Sequence, residues 1–339
     1  MKKTYLYTTL CFALILVACQ KETIEPNKGS SQTNVTANIH TPGNSANQPQ
    51  GETFASLAAY LNSKTVNAET FSINAGSPST LNTAKGSVLY IPANAFIDQA
   101  GNLVTGNVDI KIKEIFSTAD IMFSEVYPVA FNNVLNSGGE YFLEARQNNT
   151  VLRVDNGAFI NLEIPAQALD PNMELFFGGA DENAAVNWEP VDSAQNGANN
   201  GNVNGFTFNT SNNAYNIILD SLCWGNIDAF MWNVTYFDCS FNLTGLSNLD
   251  NSNTTAFAVF KDENTVWPVG TASWGGISGN LITESHLADI DMNIVVISVV
   301  DEQLYYGLLD VIPADNQTYD IPMISTTSEN LDNIISSLP

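Results

Sequence analysis

Val108-Asp109-Ile110-Lys111-Ile112-Lys113 alternates apolar and charged side chains over six residues. Successive side chains of an extended chain point to opposite faces, so this alternation gives a strand with one face to bury and one to solvate. A helix would need apolar positions three and four apart instead. Ile160-Asn161-Leu162-Glu163-Ile164 repeats the pattern. Between such runs lie Gly101-Asn102, Ser137-Gly138-Gly139 and Asp155-Asn156-Gly157, read as tight turns because Gly and Asn tolerate positive φ. Many short strands separated by turns predict an all-β fold of antiparallel sandwiches.

Helical spacing is confined to the two ends of this region. Phe54, Leu57, Ala58 and Leu61 predict one short entry helix. Ser328 followed by Leu331, Ile334, Ile335 and Leu338 predicts a capped closing helix. The second half is again strand-like at 216–219, 230–237, 256–260, 292–300 and 303–309. Asn293-Ile-Val-Val-Ile-Ser-Val-Val300 is apolar on both faces and reads as a central strand, with Asp301-Glu302 turning the chain into a hairpin. Asn and Gly dominate 193–205, which reads as a linker. The expected division is therefore a sandwich over 53–192, a linker over 193–205, and a second, immunoglobulin- or transthyretin-like sandwich over 206–339.

The N-terminus has a different character. Lys2 and Lys3 precede an apolar run from Leu10 to Val17, and Leu16-Val17-Ala18-Cys19 reads as a lipobox. The run is about half the length needed to cross a ~30 Å hydrocarbon layer as a helix. The expectation is a lipoprotein signal peptide over 1–18, cleavage before Cys19, and a lipid on that cysteine; several acyl chains anchor a protein stably. Residues 19–52, with Pro26, Pro42 and Pro49 among many Asn, Ser and Thr, read as a disordered tether. Gln20-Lys21-Glu22 is similar to the export signal that sends some Bacteroidota lipoproteins to the outer leaflet of the outer membrane.

Removing Lys2 and Lys3 leaves nine basic against 35 acidic residues, a formal charge of −26 for the mature chain. Nucleic-acid binding needs clustered Lys and Arg, and Lys261 is the one basic residue after Arg153, so nucleic acid is excluded as a partner. Once Cys11 leaves and Cys19 is lipidated, Cys223 and Cys239 remain. In an exported protein they are candidates for a disulfide, or two buried free thiols.

Gly86-Ser-Val-Leu-Tyr-Ile-Pro-Ala-Asn-Ala-Phe96, then Gly106 to Glu114, and Ser137-Gly-Gly-Glu-Tyr-Phe142 resemble a pattern in envelope lipoproteins of Bacteroidota that carry no assigned activity. Their N-terminal domain looks like the ZU-type β-sandwich of ankyrins and netrin receptors. Pro92 fits the end of a strand, since it removes a donor. Leu222-Cys-Trp-Gly-Asn-Ile-Asp-Ala-Phe230 resembles a Leu-Gly-Trp-x-Asn-x-Asp-x-Phe segment of the same group, with Cys223 in place of the Gly. The resemblance implies a fold and an envelope location, and brings no catalytic residue.

Motifs for chemistry are sparse. The mature chain has two histidines, His40 in the tether and His286. No His-Glu-x-x-His, nucleophile elbow or Gly-rich phosphate loop is present, so no cofactor, metal or catalytic residue is assigned. Asp289, Asp291 and Asp181-Glu182 lack the ligand spacing of a calcium loop. Trp224, Trp232, Trp267 and Trp274, with Tyr236, Tyr305 and Tyr306, read either as core or as a sugar-stacking platform. Asp192-Ser193-Ala194 and Asp220-Ser221-Leu222 resemble a Bacteroidota O-glycosylation acceptor, Ser193 being the accessible candidate. The resulting expectation is a non-enzymatic, lipid-anchored, surface-exposed outer-membrane lipoprotein. Its partners are the membrane through the Cys19 lipid and an envelope protein or extracellular ligand. The alternatives are a surface glycan-binding protein and a hydrolase of envelope or other polymer, the latter needing a cleft with His286 or paired carboxylates.

Overall fold

The computed structural model describes residues 38–39, 52–183, 185–191, 205–232, 234–273 and 275–338. The fold is all-β, with 50% strand against 9% helix. Cys19, His40, Ser193 and Trp274 lie outside the described residues, as do the signal peptide, nearly all of the expected tether and most of the expected linker. No helix among the described residues is long and apolar enough to cross a membrane.

Four sheets stack as layers, and the side chains between them show why. Val108, Ile110 and Ile112 are each 1% exposed, on the face that the alternation assigns to them. Their strand, Asn107–Ile115, belongs to a sheet with Glu69–Asn74, Asn133–Gln147, Trp224–Phe230, Glu174–Phe177 and Glu189–Pro190. This second layer packs on a first layer made of Ser79–Asn82, Val88–Ile91, Ile160–Pro165, Ala214–Leu219 and Gly205–Asn209. Ile110, Leu143, Leu175 and Ile227 of one meet Leu89, Leu162, Ile164 and Ile217 of the other. The strand Val88–Ile91 ends where Pro92 begins, as expected.

The second layer buries its other face as well. Ile115, Leu135, Phe142, Phe176 and Trp224 pack against Phe257, Val259, Val295, Ile297 and Leu304. The latter belong to a third layer of Thr254–Phe260, Val266–Val269, Met292–Val300, Gln303–Val311 and two short strands. Helices α1 (Leu57–Lys64), α2 (Thr118–Ser124) and α3 (Ser328–Ser336) contribute Tyr60, Ile121, Met122, Leu331 and Ile335 to the same core. The far face of the third layer meets a fourth, made of Tyr236–Thr244, Gly275–Ser278, Leu281–Ala288 and Gln317–Pro322. Its Tyr236–Thr244 and Gln317–Pro322 pair is parallel, while every other ladder among the described residues is antiparallel. Met292–Val300 is apolar on both faces because Val295 and Ile297 enter one core and Ile294 and Val296 the next. Asp301 and Glu302 take positive φ at its hairpin turn, as read from sequence.

Several expectations are corrected. Residues 206–230 do not open the second sandwich. Gly205–Asn209 and Ala214–Leu219 join the first layer, and Trp224–Phe230 joins the second. The exchange to the other pair of sheets comes after Phe230. A polar stretch marks a connection, but it does not tell whether the strands it joins share a core. The shared core of the second and third layers also leaves no seam between two domains. Ser137-Gly138-Gly139 is not a hairpin turn; it lies within Asn133–Gln147, at a bulge where the register with Trp224–Phe230 slips. Gly139 has φ +127°, and a Cβ on Gly138 would sit 2.9 Å from the Ile227 carbonyl oxygen. Thr327 rather than Ser328 caps α3, its hydroxyl accepting the Asn330 N–H at 3.2 Å. Helix α2 was not foreseen; Ser117 and Asp120 form a capping box that starts it.

Cys223 and Cys239 are free thiols in this structure. Cys223 precedes a strand of the second layer and Cys239 lies within the fourth, so an interval of sixteen residues crosses the layered stack instead of joining neighbouring strands. The shared core makes a testable demand. Ile297→Ala is expected to cost about 2–5 kcal/mol, the range for truncating a buried aliphatic side chain. Unfolding followed by tryptophan fluorescence and by far-UV circular dichroism should remain one coincident transition in both proteins. Two separated transitions in the native protein would mean that the layers form independent domains.

Candidate functional site

Trp224–Phe230 carries its chain out of the second layer and ends at the groove with the most exposed aromatic side chain of the described residues. Phe176 is fully buried, and Phe230 meets it edge-on with ring centroids 5.5 Å apart. Trp232 then stacks on Phe230 at 5.0 Å with 29° between the ring planes. Trp232 is nonetheless 75% exposed. A solvated indole held flat on a seated phenyl ring is a pre-positioned stacking surface.

The groove beside it has a volume of about 760 Å³. Ala229, Phe230 and Met231 lie along it, with Glu174 from the second layer and Asp170 from the connection that leads into it. Asp262 and Glu263, at the turn between Thr254–Phe260 and Val266–Val269, close it from the third layer, and Asp289 adds a further carboxyl. No Lys or Arg lines it among the described residues. Burial raises the Glu263 carboxyl above its ordinary range, and the neighbouring Asp262 and Asp170 add to this. Asn136, Asp170, Asp262 and Glu263 also line a larger groove of about 930 Å³ beneath Lys85, Ser117 and Lys261, so the two depressions share a wall. The surface offers hydroxyl- or amine-bearing ligands a row of acceptors and one flat aromatic face.

The other aromatic candidates belong to the core. Trp224 is fully buried and Trp267 is 2% exposed. The indole N–H of Trp224 donates to the Asp181 carbonyl at 3.3 Å. Tyr306 is buried, and Tyr236 stacks on His286 at 3.9 Å and 8°. His286 is thus packed between aromatic neighbours, with Nε2 3.0 Å from the Asn132 carbonyl oxygen. It lies in Leu281–Ala288 of the fourth layer and does not line the Trp232 groove. Tyr236 and Tyr305 are half-buried, so Trp232 is the one exposed member of the expected platform among the described residues, with Phe230 as its unforeseen partner.

The carboxylates considered for calcium have other work. Asp291 pairs with Lys261 at 2.9 Å, Glu182 pairs with Lys111, and Asp181 accepts the Asn183 N–H at 3.0 Å. No group of three or more His, Cys, Asp or Glu arranged for a metal occurs among the described residues. Burial pushes the Cys223 thiol up to about 11 and the Cys239 thiol to about 12, which leaves both protonated and poorly nucleophilic at neutral pH. No protein-family model matches the chain, and no curated protein matches it.

A third depression, of about 490 Å³, lies over Cys239 and Glu284 in the fourth layer. Burial pushes the Glu284 carboxyl up to about 7, against backbone N–H bonds from Gly270 at 2.8 Å and His286 at 3.2 Å. Unfolded, the same group titrates near 4.5. Between those values the folded chain holds a proton that the unfolded chain has lost, so this group's contribution to stability falls as pH rises. The stability difference between the native protein and Glu284→Gln should therefore change from about pH 4.5 to pH 7, the native protein losing ground as pH rises. Parallel denaturation curves across that window would show that Glu284 titrates in its ordinary range.

Proposed function

We propose that this chain is a lipid-anchored binding or scaffolding module of the bacterial cell envelope, without catalytic activity. Export through the 1–18 leader, cleavage before Cys19 and lipidation of that residue hold it at the outer membrane. Gln20-Lys21-Glu22 directs it to the outer leaflet, and the likeness of 86–142 and 222–230 to Bacteroidota envelope lipoproteins with a ZU-type domain supports the same location. The four layers serve as a rigid stand for a binding surface, which we assign to the groove at Trp232.

One observation carries the assignment of that surface: Trp232 is 75% exposed although it is seated on the Phe230–Phe176 stack. Flexible exposed side chains lose entropy on binding, whereas an aromatic ring already held in place loses little. The leading partner class is another envelope protein or an extracellular ligand. The flat indole beside carboxyl and Asn acceptors also favours a second reading, capture of a surface glycan.

Location and binding are tested separately. Protease shaving of intact cells should remove the native protein while periplasmic controls survive, and Cys19→Ala should leave the membrane fraction. Protection until the outer membrane is opened would place the module in the periplasm. Membrane retention of Cys19→Ala would overturn the anchor. For binding, purified native protein and Trp232→Ala are compared on immobilised outer-membrane fractions and on isolated surface polysaccharide. Trp232→Ala should weaken binding about tenfold or more, the loss of roughly 1.4 kcal/mol or more that an anchoring aromatic supplies. Equal binding by the two proteins would move the surface elsewhere.

A further inference from the structure

The second layer contains a fully buried polar cluster whose oxygens outnumber their partners. Its residues come from two stretches far apart in sequence, 137–142 and 222–230, which the fold makes neighbours. Trp224–Phe230 runs antiparallel to Asn133–Gln147, with Asn226 opposite Glu140 and Asp228 opposite Ser137. Asn226 and Asp228 are two residues apart on one strand, so both present side chains to the face that Glu140 occupies across the ladder. Glu140, Asn226 and Asp228 are each 0% exposed.

The hydrogen-bonding supply is incomplete. Asn226 Nδ2 donates to Asp228 Oδ2 at 2.5 Å, which turns Asn226 Oδ1 away from that bond and leaves it without a partner. Both carboxyl oxygens of Glu140 are likewise buried and unpartnered. Asp228 Oδ1 is buried without a partner as well, with Ser137 and the Gly138 N–H near its carboxyl, and Asp228 lies close enough to Glu140 to repel it. None of the Lys or Arg ion pairs among the described residues uses Glu140 or Asp228. Four acceptor atoms, Glu140 Oε1 and Oε2, Asn226 Oδ1 and Asp228 Oδ1, therefore lack a donor in a place that water does not reach from outside. Leaving buried polar groups unsatisfied is costly, and more so for a charge.

A proton on Glu140 would supply a single O–H, enough for one of these acceptors. A divalent cation would balance two carboxylates and take its ligands from Glu140, Asn226 and Asp228, which the ladder makes neighbours. Every available ligand atom is oxygen, which selects a hard cation over zinc or copper. Magnesium keeps several of its waters, whereas calcium takes protein oxygens directly in irregular geometry, with a carboxylate able to bind through both oxygens. A fully enclosed position between two layers fits the second behaviour.

We propose that Glu140, Asn226 and Asp228 form a calcium site inside the second layer, with Glu140 binding through Oε1 and Oε2, Asn226 through Oδ1, and Asp228 through its carboxylate. The ion is taken up as the chain folds, because the finished sandwich encloses the position. It ties Trp224–Phe230 to Asn133–Gln147 at the bulge where their register slips. The inference rests on the buried cluster and not on ligand binding at the Trp232 groove, so calcium retention and the Trp232→Ala binding comparison are read separately.

The test uses the full mature chain, unfolded and refolded in calcium chloride, in magnesium chloride or in EGTA, then freed of loosely held ions by gel filtration. The native protein should retain one calcium per chain by elemental analysis and melt at a higher temperature than the EGTA sample. Glu140→Gln should retain none and melt at the same temperature in both. Asn226→Asp adds a carboxylate to the set; it should be weakened in EGTA and recover in calcium. Asp250→Asn, at a fully exposed turn, controls for weak ion binding by the acidic surface and should behave as the native chain. Absence of retained calcium in the native protein, with equal melting in calcium and EGTA, would overturn the site and leave a protonated Glu140. Retention by Glu140→Gln would place the ion elsewhere, and selective retention of magnesium would overturn the choice of calcium. If Glu140→Gln does not refold, Asn226→Asp decides: the same melting temperature in calcium and EGTA rejects the proposal.

Discussion

Burial of both faces of the two central sheets is the constraint on which the rest of this molecule depends. A sheet with one wet face tolerates a charged residue at every second position, but Asn133–Gln147 and Trp224–Phe230 of the second layer and Met292–Val300 of the third are buried along most of their length, exposed mid-strand positions such as Thr70, Ser72 and Asp109 being left to Glu69–Asn74 and Asn107–Ile115. Phe142 and Trp224 face one core while Tyr141 and Ile227 face the other. Such doubly buried strands exclude solvent from their ladders and set the register firmly, since a one-residue slip would exchange two filled cores. They also decide where polar chemistry is found. Glu114, Glu140, Glu144, Asp228 and Glu284 are buried within strands, while Asp170, Glu174, Asp262, Glu263 and Asp289 converge on the groove around Trp232.

Much of this was legible in sequence wherever a strand has one buried face. Val108, Ile110 and Ile112 alternate with charges, and their strand, buried face and neighbouring turns follow from that alone. The doubly buried run at 292–300 was equally plain, because nothing other than a central strand explains its lack of polar positions. The layer count was not legible. Periodicity reports that a face is buried and does not report against what, so the covering of the second layer by the third left no local trace. The Asn- and Gly-rich stretch at 193–205 then looked like a boundary although strands on either side complete one sandwich.

Local misreadings have local causes. Ser137-Gly138-Gly139 has turn composition, yet the same freedom of φ serves a bulge within a strand, and the two uses look alike until the partner strand is known. Helix α2 has seven residues and takes its stability from the Ser117–Asp120 capping box and from Ile121, Met122 and Phe123 in the shared core. An isolated helix of that length would not form. Residues 230–237 read as one strand, but the ladder with Asn133–Gln147 ends at Phe230 and the next strand starts at Tyr236. The interval between them is what frees Trp232 from the core that holds Trp224. Composition placed both tryptophans in one class; the end of the ladder separates them.

The buried cluster and the exposed groove share a strand, and this relates the stability of one to the geometry of the other. Asn226 and Asp228 fix the register of Trp224–Phe230 beside the bulge at Gly138, two residues before that strand delivers Phe230. Ala229 and Asn136, which are opposed in the same ladder, both line the Trp232 groove, and Ser137 lines its neighbour. A slip at the bulge would turn Phe230 away from Phe176 and remove the seat on which Trp232 stacks. Apolar residues at 140, 226 and 228 would fill this space at lower desolvation cost, but they would tolerate several registers. A set of oxygens that must meet a common partner tolerates one. Polar groups in the interior thus serve as a register lock, and the stacking face at the surface inherits its position from them.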